Sequence, residues 1–71
     1  MQRNLDRFNL SNPEVCYLID QWIRYERDRA ILKDRLINGL TFERLAEKHD
    51  MSVRQTKNIV YKATERLVAH L

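Results

Sequence analysis

Residues 41–67 read TFERLAEKHDMSVRQTKNIVYKATERL, and the fold follows from how that stretch divides. Leu45 and Ala46 mark the inward side of a short helix, and the small Ala46 lets a second helix cross it closely. His49, Asp50 and Met51 make a turn, with Met51 pointing inward. Ser52 then caps a longer helix whose inward positions are Thr56, Ile59 and Ala63, a line that continues to Leu67. The outward positions are Val53, Arg54, Gln55, Lys57, Asn58 and Tyr61, and none of them is acidic.

Apolar or small residues at 45, 46, 51, 56 and 59, with a capping serine just past the turn, have the spacing of a helix-turn-helix. A helix that buries one side and shows Arg, Gln, Lys and Asn on the other is equipped to enter a DNA major groove. The bland alternative is a solvated helix face, which the same residue types also make. The turn spacing, Ser52 and the acid-free outward side favour the first reading.

The chain has 71 residues, 44% of them hydrophobic, with a formal net charge of +3 and a pI near 9.4. This is one small domain, near the size at which a single core is only marginally stabilising. Its hydrophobic content argues against disorder over most of its length. One Gly and one Pro leave little material for hairpins, and no segment alternates apolar and polar long enough for a strand. The expected fold is all-α: a three- to four-helix bundle containing the helix-turn-helix, with an added N-terminal helix. The basic balance suits a nucleic-acid partner without requiring one. Cys16 is the only cysteine, which excludes an internal disulfide and makes a reducing cytoplasm the natural expectation. No apolar run approaches the ~20 residues of a membrane span, and no secretory signal is visible.

Residues 1–10 read as an arm, either frayed or docked on the core through Phe8. Residues 11–71 read as the single domain. Ser11 or Asn12 caps the first helix, Pro13 suits its first position and Glu14 favours the positive end of the dipole. The apolar stripe Val15, Leu18, Ile19, Trp22, Ile23 and Tyr25 places Trp22 and Tyr25 in the core. Charges then interrupt the stripe. Two helices or one bent helix are both allowed, and a change of direction near Tyr25–Asp28 is favoured, giving helices of about 13–25 and 28–38. Asn38-Gly39 ends the second, because Gly takes the left-handed conformation without a Cβ clash. Helices of about 42–49 and 52–69 complete the chain. Val60, Val68 and Leu71 lie partly off the buried line of the last helix and suggest a self-association face.

The run from Asp28 to Leu67 resembles region 4 of bacterial sigma factors, the helix-turn-helix domain that reads the upstream promoter element. The residues that carry the likeness are Ile31-Leu32 and Arg35, Asn38-Gly39-Leu40-Thr41, Phe42-Glu43-Arg44-Leu45-Ala46-Glu47, and the turn Asp50-Met51-Ser52. They continue through Arg54, Lys57-Asn58-Ile59, Lys62-Ala63 and Arg66-Leu67. Thr56 stands where an aliphatic is usual, and Val53 where a polar or basic residue often stands. Nothing resembles the sigma region that binds the other promoter element, so the chain is not expected to act as a complete sigma factor. A free-standing module of this kind is similar to small phage or mobile-element regulators.

The resemblance implies that Val53, Arg54 and Asn58 face the bases, with Ser52, Gln55 and Lys57 beside them. Arg can bond guanine O6 and N7 together, Asn or Gln can pair with adenine, and Val53 can touch a thymine methyl. Thr41, Arg44 and Lys48 would meet the phosphate backbone, and Lys62 another stretch of it. Tyr61 is either a phosphate contact or plain surface. The expected function is sequence-specific binding of double-stranded DNA by a transcriptional regulator, as a homodimer. One alternative is a DNA-packaging or recombination component. Another is a protein-interaction module that binds RNA polymerase or a sigma-like partner through its apolar stripes. No nucleophile–base pair or Gly-rich phosphate loop is evident, so no catalysis and no cofactor are expected. His49, His70 and Cys16 lack the close spacing of a zinc site. Cys16 reads as a small buried hydrophobe, and Asp20, Glu26, Asp28 and Asp34 as surface ion-pair partners, Asp20 with Arg24.

Overall fold

A computed structural model describes residues 9–71; the expected arm up to residue 8, with the docking of Phe8, lies outside the described residues. Ser11 opens α1 (Asn12–Trp22) with a reciprocal cap. Its Oγ accepts the Glu14 N–H at 3.3 Å, and its own N–H donates to Glu14 Oε1 at 2.8 Å. Two otherwise orphaned donors of the first turn are satisfied in this way.

The chain breaks three residues earlier than the charge pattern suggests. Ile23–Tyr25 runs extended, and α2 spans Glu26–Leu36 rather than 28–38. No Gly or Pro makes this break. Arg29 does, from inside α2: its guanidinium Nη1 donates to the Ile23 carbonyl at 2.9 Å and the Arg24 carbonyl at 2.8 Å. Those carbonyls are therefore satisfied without continuing the helix. Ile23 stays in the core, but Trp22 is 37% exposed and Tyr25 63% exposed, so the expectation that both aromatics are core is corrected. Trp22 instead stacks on His70, ring centroids 3.6 Å apart, and ties the end of α1 to the end of the chain.

α2 closes around Gly39 at φ +73°, where the Leu40 N–H reaches back to the Asp34 carbonyl at 3.1 Å. α3 (Phe42–Lys48) starts on Thr41, whose Oγ1 accepts the Arg44 N–H. Its end has no glycine. Asp50 takes the left-handed conformation (φ 58°), and the Met51 N–H donates to the Ala46 carbonyl at 2.9 Å. This is a Schellman ending in which Asp, tolerant of positive φ, replaces Gly.

α4 (Val53–Ala69) begins on Ser52, whose Oγ accepts the Gln55 N–H while Gln55 Oε1 accepts the Ser52 N–H. Its buried line is Thr56, Val60, Ala63, Thr64 and Leu67. Thr56 is fully buried, and its hydroxyl is satisfied by donating to the Ser52 carbonyl at 2.9 Å inside the helix. Val60 is 5% exposed and belongs to the core, so it is withdrawn from the expected self-association face. Ile59, one position away, is only half-buried. Ile19, Ile31, Leu32, Leu45 and Leu67 are fully buried and join all four helices in one core. Cys16, expected to be buried, is corrected: it is only half-buried. Among the described residues there is no strand, and no helix is long and apolar enough to cross a membrane.

Candidate functional site

α3, the turn at 49–52 and α4 are positioned by the buried Leu45 and Ala46 of α3, which packs against α4, and by Met51 packed on the core. The buried line of α4 leaves Arg54 and Asn58, four residues apart, on the opposite side at ~100° per residue. Both are exposed. Lys57 and Tyr61 lie on the flank toward α3. The Lys57 ammonium is 5.7 Å from the Phe42 ring centre, and Tyr61 meets the same ring edge-on at 5.9 Å. Arg35 covers that ring from α2 at 4.2 Å while its Nη1 donates to the Leu40 carbonyl. Phe42 thus organises one side of the exposed face, joining Lys57 and Tyr61 of α4 to Arg35 of α2.

Ser52 and Gln55 face outward as expected, yet they are engaged with each other as the cap of α4. Gln55 has its oxygen occupied there, so bidentate pairing with adenine would cost the cap. The Ser-x-x-Gln spacing was itself the signal for this. Val53, expected on the outward side, is corrected: it is half-buried, on the side of α4 that carries the buried Val60 and Thr64, whereas Thr41, Arg44, Lys48 and Lys62 are exposed.

The distribution of ion pairs separates structural cations from unengaged ones. On α2, Arg27 is bound to Asp28 and Lys33 to Asp20, the latter in place of the expected Asp20–Arg24 pair. On α3 and α4, only Lys48 is ion-paired among the described residues. Arg44, Arg54, Lys57, Lys62 and Arg66 carry no carboxylate partner there. No protein-family model, curated protein or solved structure matches the chain.

Lys48 differs because of Asp34, which is 7% exposed rather than on the surface. Asp34 Oδ2 accepts Lys48 Nζ at 2.8 Å and lies 3.0 Å from His49 Nε2, while Oδ1 accepts Asn38 Nδ2 at 3.0 Å. Burial pushes the Asp34 carboxyl up, but hydrogen bonds from Lys48, His49 and Asn38 and the charge of Lys48 outweigh it and hold its pKa below the ordinary value. Because the folded value is the lower one, the ionised cluster contributes stability above the unfolded pKa of ~3.9. That contribution is lost as pH falls through the folded value. Asp34→Asn is expected to lower stability at neutral pH by ~1–3 kcal/mol and to flatten the acid limb of a plot of thermal midpoint against pH. An unchanged acid limb would show that the cluster does not clamp α3 to α2.

Outside the expected set, Arg24 and Tyr25 of the α1–α2 link face Lys62 and Arg66 of α4 across a cleft. Arg66 was within reach of sequence reasoning, since Asn58, Lys62 and Arg66 repeat every four residues along one helix face.

Proposed function

We propose that this chain is a sequence-specific double-stranded DNA-binding protein that regulates transcription. In this reading α3, the turn and α4 act as a helix-turn-helix, and the 52–62 face of α4 enters the major groove. The observation that carries it is the exposed Arg54–Asn58 ridge opposite the buried line, flanked by cations without carboxylate partners among the described residues. Arg54 and Asn58 supply a bidentate donor for guanine and a matched donor–acceptor pair for adenine. Arg44, Lys57, Lys62 and the Tyr61 hydroxyl supply phosphate contacts that set register.

The bound form is taken to be a homodimer on half-sites about one turn apart, since one such module makes a small interface. With Val60 in the core, Val68 and the 48%-exposed Leu71 remain for that pairing. The mechanism is binding alone, without catalysis, in the cytoplasm.

Titration of labelled duplex at several salt concentrations tests the reading. The expected result is binding whose logarithm falls linearly with log salt, with a slope near −0.9 per phosphate neutralised. Binding to sites at promoters, rather than at packaging or recombination sequences, separates the regulator from a DNA-positioning component. Absence of duplex binding at low salt would instead favour a protein-interaction module.

A further inference from the structure

We infer that the cleft between the α1–α2 link and the second half of α4 grips a duplex phosphate strand, on the flank of α4 away from α3. This rests on the proposed DNA reading and adds to it a contact from outside the helix-turn-helix. The cleft has a volume of about 380 Å³ and an apolar floor of Ile23, Ile59 and Ala63. Its polar walls are Arg24, Tyr25 and Asp28 on one side and Asn58, Lys62 and Arg66 on the other.

The charge balance indicates an anion. Arg24, Lys62 and Arg66 have no ion-pair partner among the described residues, and Asp28, the one carboxylate in the wall, is bound to Arg27 at 3.1 Å. Like charges gathered around one concavity repel each other until a counter-charge arrives. The wall is also preset. Arg29 holds the Ile23 and Arg24 carbonyls, so the link that carries Arg24 and Tyr25 is fixed before any ligand binds.

Geometry selects the duplex backbone over a free anion. Asn58 and Lys62 belong both to the cleft and to the outward side of α4, so the two surfaces are continuous. A helix with side chains is about 10–12 Å across and the major groove about 12 Å wide. A helix seated there meets a phosphate wall on each flank. Arg44, Lys57 and Tyr61 lie toward one wall, and the cleft lies toward the other.

The test is the salt dependence of duplex binding by the whole chain and by Arg24→Ala, Arg66→Ala and the double variant. Each single change is expected to reduce the salt slope by about 1 and the double change by about 2, weakening specific and random duplexes alike. Arg66→Lys should keep the slope. Arg66 also suits the negative end of α4, but that role would move the thermal midpoint and leave the slope unchanged. Unchanged slopes in variants that still bind duplex overturn the cleft assignment alone. A wild-type chain that binds no duplex overturns the DNA reading and the cleft with it. If inorganic pyrophosphate raises the thermal midpoint of the wild type but not of the double variant while the slopes stay equal, the cleft takes a free phosphate and the strand assignment is overturned.

Discussion

Leu45→Ala is expected to lower stability by ~2–5 kcal/mol. Leu45 is fully buried in α3, a helix of only seven residues. A segment that short does not hold helical structure alone in water, so its place depends on the side chains it inserts beneath α4. A domain of this size has a total stability of roughly 4–10 kcal/mol at the usual ~0.05–0.15 kcal/mol per residue. The cavity would therefore remove a large part of it. Urea titration should show the midpoint falling with the slope m unchanged. Leu45→Met, which conserves volume, should cost under ~1.5 kcal/mol. A loss below about 0.5 kcal/mol for the alanine variant, typical of surface positions, would mean that α3 is not held by this contact.

Arg54→Ala is expected to cost ~1–3 kcal/mol on a preferred duplex and to relax the preference at one base pair. The side chain is exposed and has no ion-pair partner among the described residues, so its removal should leave the thermal midpoint nearly unchanged. Arg44→Ala is the proper contrast, weakening all duplexes alike and reducing the salt slope by about 1. Lys48 does not serve as that control. Its ammonium is bound to Asp34 at 2.8 Å, so its removal also disturbs the clamp between α2 and α3. Equal losses from Arg54→Ala and Arg44→Ala on preferred and random DNA would remove the base-reading role of Arg54.

The second half of the fold was legible because its signals are local. Ser52 caps the helix it was expected to cap, and Gly39 stands at positive φ where α2 ends. The first half was less legible. The break at Ile23–Tyr25 is made by an arginine five and six residues from the two carbonyls it binds, with no turn residue to announce it. The stripe in α1 counted every apolar side chain, and only packing decides that Ile19 and Ile23 enter the core while Trp22 and Tyr25 stay out. In α4 the buried line is rotated by part of a turn from the one expected. Ile59 and Val60 are both aliphatic, and composition cannot say which edge of the stripe is inside.

The site follows the same division. The Arg54–Asn58 ridge comes from spacing within one helix. The Asp34 cluster joins His49 across fifteen residues, and the cleft joins the α1–α2 link to α4. Neither has a period to reveal it.

Selection from a random duplex pool, run side by side with the wild-type chain and Arg54→Ala, bears most directly on whether α4 reads DNA. The wild type should enrich one consensus, palindromic if two copies bind, and Arg54→Ala should enrich the same consensus with one position degenerate. No enrichment by the wild type, or identical consensus sequences from both proteins, would contradict it.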